Sequence, residues 1–274
     1  MFSSAGRKVI AAWIVLSAIA TPLVALVLGP HLPPGNGSVQ ASEQVLANTW
    51  ITAILTPVIC LLVVFFAYVL VAHRAPKGEL VDGPPLRNDA TVQAVWLTLS
   101  AVTVLFLAGF GTYQLLQTGS GGGQGPSPIA IPEGPKIPVQ VIAQQWQFTY
   151  RYPTYGGVET PTLVLPADTY IELHVTSLDA IHSFWAYQLG VKADANPGVD
   201  NVAFVKTKGP GTFQVRCAEL CGLWHGYMFD TGRVVPRAQF TAWVKSQQRD
   251  FAPVVKYLPP YSKVYYPDPQ RRAG

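Results

Sequence analysis

Three long apolar runs dominate the first half of the chain. Residues 9–28, 51–72 and 92–116 contain no charged side chain. Each run is long enough to cross the hydrocarbon core of a bilayer as an α-helix, which takes about 20 residues. The pattern predicts a membrane α-helical domain of two or three transmembrane helices, in which the second and third form a hairpin over residues 51–118.

The first run has two interpretations, and both concern an N-terminal segment that we place at residues 1–50. Arg7 and Lys8 precede the run, and small residues around Ala41 offer a cleavage site, as in a signal peptide. The apolar part of a signal peptide usually spans about 7–15 residues, and this run is longer. Its length favours a retained membrane helix, although Pro22 weakens a helix at that position.

The loops around these runs differ in charge. Residues 30–48 carry no Lys or Arg and are rich in Pro, Gly and Ser, which is typical of an exposed loop. The loop after the second run is basic and contains His73, Arg74, Lys77 and Arg87. Because basic loops stay on the cytoplasmic side, the chain after the third run is predicted to lie outside the membrane. Removal of the first run would not change this orientation.

The second half has the patterns of an all-β domain. The glycine-rich residues 119–125 begin a segment, 119–136, that we interpret as a flexible linker. Alternating and β-branched positions then predict strands at 137–152, 162–165, 170–176, 201–207, 211–216 and 228–235. Short strands separated by Gly and Pro favour a Greek-key sandwich or small barrel, which we place at residues 137–251.

The C-terminal end adds a helix and a tail. Pro236 is suited to the first turn of a helix, so a short helix is predicted over residues 237–249. Residues 252–274 are rich in Pro and Tyr and are predicted to form an irregular tail. We find no internal repeat along the chain.

Composition supports a membrane protein and argues against other classes. Apolar residues make up 49% of the chain and charged residues only 12%, about half the charged share of soluble domains. The net charge of +4 is spread along the sequence, so no nucleic-acid partner is expected. No nucleophile–base pair stands out, so the chemistry must come from another pattern.

Four sulfur and nitrogen ligands lie together near the C-terminal end. Cys217, Cys221, His225 and Met228 fall within twelve residues, and Met228 is the only methionine besides Met1. These soft or borderline ligands suit copper better than magnesium or calcium. The spacing differs from the C-x2-C pairs of many structural zinc sites, but zinc and a disulfide remain alternatives at this point.

The same stretch resembles a known metal-binding loop. Its pattern, C-x-E-x-C-x-x-x-H-x-x-M over residues 217–228, is similar to the binuclear copper (CuA) loop of cytochrome c oxidase subunit II. Further similar motifs are D-x-x-H-S-F-W at 179–185, K-x-D-x-x-P-G at 192–198, Q-W-x-F-x-Y at 145–150 and D-G-P-P at 82–85. The resemblance covers most of the chain from the second apolar run onward and includes every ligand position.

The resemblance implies a cupredoxin-like Greek-key barrel with a complete set of copper ligands. The implied metal ligands are His182, Cys217, Glu219, Cys221, His225 and Met228. The two thiolates would bridge two copper ions, and each ion would receive one imidazole. The Met228 thioether and the backbone carbonyl of Glu219 would be the weak axial ligands, which tune the potential in related copper sites.

The resemblance also implies roles for residues around the two copper ions. Trp146 would be the surface ring through which electrons enter from cytochrome c. Asp179 would orient an imidazole, as outer carboxylates commonly do at metal sites. The carboxylate of Glu219 would help to hold a magnesium ion at the border with subunit I.

This chain departs from the family's pattern in three respects. Gln93, three residues before Trp96, stands where many members carry a Glu associated with proton uptake, and Gln cannot ionise. Phe148 replaces a second Trp near Trp146. Residues 118–274 contain 14 Lys and Arg against 11 Asp and Glu, a balance that favours a neutral or acidic donor over a basic one.

The resemblance predicts subunit II of a haem–copper oxygen reductase in a bacterial plasma membrane. It would accept electrons from cytochrome c or another donor and pass them to haem in subunit I, where O2 reduction is coupled to proton pumping. Subunit III is a further expected partner. Alternatives are the CuA subunit of a nitric oxide reductase, which would share every ligand, and a membrane-tethered copper-binding or assembly protein. A copper-free quinol oxidase subunit would lack this intact ligand set.

Overall fold

The structure, a computed structural model, describes residues 4–72, 89–119 and 121–257. The chain divides into two compact units. A helical unit comprises residues 1–32 and 45–112, and a β unit comprises residues 33–44 and 113–274. The basic loop after the second apolar run and the D-G-P-P motif at 82–85 lie outside the described residues.

Three long helices are formed by the apolar runs. Helix α1 is Ser4–Leu23, followed by a π-helical turn, Val24–Leu28, and a 3-10 turn, Gly29–His31; helix α2 is Val39–Ala72 and helix α3 is Ala90–Thr118. Within the described part of the chain, three helices have the length and apolar composition needed to cross a membrane. The predicted apolar helices are therefore confirmed, and most of their large side chains are exposed.

Helix α3 begins with a side-chain cap. The carboxylate of Asp89 accepts hydrogen bonds from the N–H groups of Thr91, at 2.9 Å, and Val92, at 3.1 Å. These N–H groups have no partner inside the helix, so an Asp at this position stabilises its first turn. Gln93 lies in that first turn.

The described residues of the β unit form ten strands in two sheets. The strands are β1 Lys136–Gln144, β2 Gln147–Tyr152, β3 Val158–Thr160, β4 Val164–Pro166, β5 Tyr170–Ser177, β6 His182–Ala186, β7 Val191–Ala195, β8 Asn201–Lys206, β9 Gly211–Cys217 and β10 Phe229–Val235. One sheet has the order β3-β2-β1-β5-β8 and the other β4-β10-β9-β6-β7. The pairs β1–β5 and β4–β10 are parallel, and the other pairs are antiparallel.

The core lies between the two sheets because apolar side chains alternate along their strands. Val139 and Val141 of β1 point inward with Leu173 of β5, while Phe184 of β6 and Phe213 of β9 enter from the other sheet. All five are 2% exposed or less. This arrangement confirms the predicted β sandwich, with its strand ends free to carry a site.

The strand predictions need two corrections. The predicted single strand at 137–152 is a hairpin of β1 and β2 that reverses at Gln145 and Trp146. Neither residue is a usual turn former, so the sequence gives no signal for the reversal. Three short strands, β3, β6 and β7, were not predicted, and β6 carries His182 at its first position.

The prediction of an exposed loop at residues 30–48 is wrong for its second half. Helix α2 begins at Val39, and Ser38 and Ala41 are buried within the β unit. The Ser38 hydroxyl donates to the carbonyl of Leu189 at 2.6 Å, and the side-chain oxygen of Gln40 accepts from the N–H of Lys206 at 2.9 Å. The Leu189 carbonyl and the Lys206 N–H thereby hold residues 38–41 on the β unit. These hydrogen bonds replace the ones that the buried backbone groups would otherwise make with water.

The glycine-rich stretch at 119–125 also differs from the flexible linker that was predicted. The N–H of Gly123 donates to the carbonyl of Lys192 at 3.0 Å, and the N–H of Gln124 donates to the carbonyl of Val202 at 2.9 Å. In return, the N–H of Lys192 donates to the carbonyl of Gly121 at 2.9 Å. This stretch therefore pairs with strand edges, which is a use of Gly that composition alone does not reveal.

Helix α4, Arg237–Val255, confirms the predicted helix after Pro236 and extends it. Phe240 and Val244, four residues apart on one face, are buried, and the Phe240 ring lies 6.3 Å from that of Tyr152. The predicted irregular tail is therefore helical as far as Val255, and residues 258–274 lie outside the described residues.

Candidate metal centre

Three strand ends bring the predicted ligands to one place. Strand β9 ends at Cys217, strand β10 starts directly after Met228, and strand β6 starts at His182. The N–H of Cys217 donates to the carbonyl of Met228 at 3.0 Å, which closes the loop of residues 218–227 at its base. Because Phe184 of β6 pairs with Cys217, the start of β6 lies next to that loop.

The donor atoms cluster around the two sulfurs. The Sγ atoms of Cys217 and Cys221 are 3.7 Å apart. The Nδ1 atom of His182 lies 3.8 Å from the sulfur of Cys217, and the Nδ1 atom of His225 lies 3.5 Å from the sulfur of Cys221. The structure thus brings both predicted imidazoles to the thiols, with His182 beside Cys217 and His225 beside Cys221.

Two weaker donors complete the set. The sulfur of Met228 lies 3.9 Å from that of Cys221, and the backbone carbonyl oxygen of Glu219 lies 3.2 Å from the sulfur of Cys217. Each thiol therefore has one imidazole and one weak donor beside it. Glu219 is an exposed residue.

Burial makes the Cys221 thiol a poor acid unless a cation binds. His182 and Met228 are at most 1% exposed, and Cys221 is 3% exposed. Burial, together with the neighbouring Cys217 thiol, raises the pKa of the Cys221 thiol to about 12. A metal ion must therefore displace its proton, so metal binding releases protons at neutral pH. The sulfur separation is also well beyond the ~2.05 Å of a disulfide bond.

A carboxylate fixes the orientation of His182. The Nε2 atom of His182 lies 2.8 Å from an oxygen of Asp179 and donates a hydrogen bond to it. The other ring nitrogen, Nδ1, therefore keeps a lone pair toward the sulfur of Cys217. Burial by itself raises the pKa of the Asp179 carboxyl. The hydrogen bonds from the Gln145 N–H, the His182 ring and the Ala180 N–H outweigh burial and lower that pKa, so the group is a carboxylate at neutral pH.

Trp146 and its neighbour Gln145 contact the same loop. The indole N–H of half-buried Trp146 donates to the carbonyl of Cys221 at 3.2 Å, and the Gln145 side-chain amide donates to the same oxygen at 2.9 Å. The Trp146 ring thus touches a ligand residue directly. The sequence predicted a role for Trp146 but none for Gln145. The only indication for Gln145 in the sequence was its position next to Trp146.

The arrangement can be tested for its fit to copper. His182, Cys217 and Cys221 place one donor atom each within 4.8 Å of one another. Two thiols and an imidazole are ligands that copper prefers. The cluster therefore fits copper binding, and His225 and Met228 extend it from the Cys221 side.

Comparison with known proteins agrees with this site. A family model described as cytochrome c oxidase subunit II, periplasmic domain, matches residues 158–233. Cytochrome c oxidase subunit 2 of Thermostichus vulcanus is 29% identical over 297 residues, which cover 90% of this chain and 88% of the relative. The chain belongs to the cytochrome c oxidase subunit II family. Its helical and β units are thus the membrane anchor and the cupredoxin-like domain of a subunit II protein.

Two further relatives match less than half of this subunit II protein. Cytochrome c oxidase subunit 2 of Bacillus sp. (strain PS3) is 36% identical over 125 residues, which cover 43% of this chain and 35% of the relative. The crystal structure of the periplasmic domain of subunit II (CoxB) of Bradyrhizobium japonicum is 31% identical, with a TM-score of 0.42. That match covers 44% of this chain and 99% of the crystallised one.

Proposed function

We propose that this chain is the electron-accepting subunit of a haem–copper terminal oxidase in a bacterial plasma membrane, with its β unit on the periplasmic side. One observation carries the proposal. The two thiol sulfurs lie 3.7 Å apart, and each has an imidazole nitrogen within 3.8 Å. Adjacent thiolates can be shared by two metal ions, and the Met228 sulfur and the Glu219 carbonyl bring the set to six donors, more than the four of a structural zinc site.

The residues of the chain would hold and tune a pair of copper ions. When bound, such a pair supplies one-electron transfer with little change in bond length, because two shared thiolates spread the charge over both metals. Met228 and the Glu219 carbonyl would act as the weak axial donors that set the potential. Asp179 would keep the His182 ring in one orientation, and the buried ligands would exclude water from the site.

Partners are expected around the loop that carries the ligands. Leu220, Leu223, Trp224 and Tyr227 are exposed there, from 49% to 84%. A contiguous apolar surface on a soluble domain is typical of a protein interface. It supports docking of this loop on subunit I, to which electrons would pass for reduction of O2 and proton pumping. Subunit III would be a further partner.

Two assignments depend on other chains. The exposed Glu219 carboxylate would contribute to a magnesium site only with ligands from subunit I. The excess of basic over acidic residues after position 118 supports a neutral or acidic electron donor, or one tethered to the membrane, as well as cytochrome c. Gln93 would not take part in proton uptake, because an amide does not ionise.

Metal analysis of the full-length chain in detergent tests the proposal. After loading, we expect two copper ions per chain and the seven-line electron-resonance signal of a mixed-valence pair. One zinc ion, or a single copper ion that a chelator removes at once, would instead support a structural site or an assembly protein. Consumption of O2 or of NO by the purified assembly would separate an oxidase from a nitric oxide reductase.

Trp146→Ala is expected to slow donor oxidation on the order of tenfold, which corresponds to about 1.4 kcal/mol in the barrier. The reason is the loss of the ring that joins the surface to the Cys221 carbonyl. Two copper ions should still bind, because all the proposed ligands remain. The measurement is the rate of cytochrome c oxidation by the purified oxidase. Trp185→Ala is the matched control, since Trp185 is an exposed indole on the other sheet; equal rates in the two variants would contradict the role of Trp146.

A further inference from the structure

Gln145 forms hydrogen bonds to two separate parts of the metal centre. Its backbone N–H donates to one oxygen of Asp179 at 2.7 Å, and Asp179 holds the His182 ring through its other oxygen. Its side-chain amide donates to the carbonyl of Cys221 at 2.9 Å. One residue of the β1–β2 turn therefore links a ligand on strand β6 with a ligand in the loop after strand β9.

The contact between Gln145 and Cys221 leaves little free space around it. A carbonyl oxygen has two lone pairs, and here the amide of Gln145 and the indole of Trp146 occupy both. The next residue, Gly222, has φ = +112°, where an added Cβ would lie 3.1 Å from Nε2 of Gln145 and 3.4 Å from Cζ2 of Trp146. A glycine at this position lets the turn of the hairpin approach the loop and suits its backbone conformation.

The loop depends on this attachment because its tip makes little contact elsewhere. Leu220 and Leu223, on either side of the Cys221–Gly222 pair, are 79% and 84% exposed. The Cys221 side chain points the other way, into the core, and is 3% exposed. The orientation of the Cys221 peptide, and with it the position of its sulfur, is therefore set largely by what holds its carbonyl.

We propose that Gln145 is a positioning residue: it fixes the Cys221 sulfur relative to the His182 nitrogen, and so sets the geometry of the metal pair. The inference rests on the proposed copper function. It assigns Gln145 a task separate from that of Trp146, which would carry electrons. If Gln145 only contacted a docking partner, its substitution would change the rate of electron transfer from the donor. It would leave the copper spectrum and potential unchanged.

The decisive variant is Gln145→Glu in the full-length chain. Glu has the same length, but at neutral pH its oxygens cannot donate to the Cys221 carbonyl, while the backbone N–H to Asp179 is kept. Gln147→Glu is the matched control, because Gln147 is an exposed side chain on the same hairpin and receives the same added charge.

For Gln145→Glu we expect a shifted copper absorption spectrum and midpoint potential. Copper release to a chelator should be roughly fivefold faster, the factor for one lost hydrogen bond of about 1 kcal/mol. Gln147→Glu should match the unmodified chain in all three measurements.

A measurement without metal separates the two proposals. The rate at which a thiol reagent labels Cys221 in the copper-free chain reports how firmly the loop is held, and peptide mass spectrometry identifies the labelled residue. We expect faster labelling in Gln145→Glu than in Gln147→Glu or the unmodified chain. If the unmodified chain fails to bind a copper pair, the copper proposal falls, while this labelling difference still decides whether Gln145 positions the loop. Equal labelling, together with equal spectra and potentials in the two Glu variants, would overturn the inference.

Discussion

Cys217→Ser is expected to abolish the paired-copper spectrum of the full-length chain. The Cys217 sulfur lies 3.7 Å from the Cys221 sulfur and 3.8 Å from Nδ1 of His182. A serine hydroxyl is a hard oxygen donor that copper prefers far less than a thiolate, and it does not ionise at neutral pH. Visible absorption and electron resonance of the loaded chain measure the loss.

Cys60→Ser is the matched control for this substitution. Cys60 is a buried thiol in helix α2 of the helical unit, so its replacement should leave two copper ions and the same spectrum. A mixed-valence signal that survives in Cys217→Ser would contradict bridging by this thiolate. Stable binding of one ion in Cys217→Ser, with an altered spectrum, would be consistent with the remaining three donors on the Cys221 side.

The cluster of donor side chains was predictable because most of it is contiguous in the sequence. Cys217, Cys221, His225 and Met228 form one loop, and the pairing of β9 with β10 closes this loop at its base and brings its residues into one region. His182 was found only through its motif, since the strand that carries it was not predicted. The β class followed from alternation along the strands, which depends on local sequence alone.

The parts that could not be predicted all depend on distant pairing. Gln145 contacts Asp179 and Cys221 across the domain, and its own sequence neighbourhood is that of an ordinary strand. The polar residues Ser38 and Gln40 are typical of a loop in the sequence. In the fold, Ser38 pairs with Thr207, which follows strand β8, and the Gln40 side chain accepts a hydrogen bond from Lys206 of β8. Gly and Ser composition indicates chain flexibility, but it does not show whether a strand edge nearby will bind the backbone.

Gly232→Ala is expected to destabilise the β unit by about 1–3 kcal/mol, the usual cost of forcing an extra group into a filled core. Gly232 of β10 lies directly opposite Phe213 of β9. A Cβ at this position would lie 2.2 Å from Cζ of the Phe213 ring, closer than any contact distance allows. The ring is 2% exposed and surrounded by core, so it cannot turn aside. Denaturant unfolding of the full chain, followed by tryptophan fluorescence, measures the change.

Gly211→Ala is the control, because Gly211 lies on the same strand pair and an added Cβ there would meet nothing within 4 Å. It should unfold at the same denaturant concentration as the unmodified chain. If Gly232→Ala does not fold at all, the double variant Gly232→Ala with Phe213→Leu decides, since the smaller side chain removes the clash and should restore folding. Failure of that rescue, or equal stability of the two alanine variants, would mean that the Phe213 ring does not fill the space over Gly232. Because β9 carries Cys217 and β10 follows Met228, the stability of this pair also determines how firmly the metal loop is held.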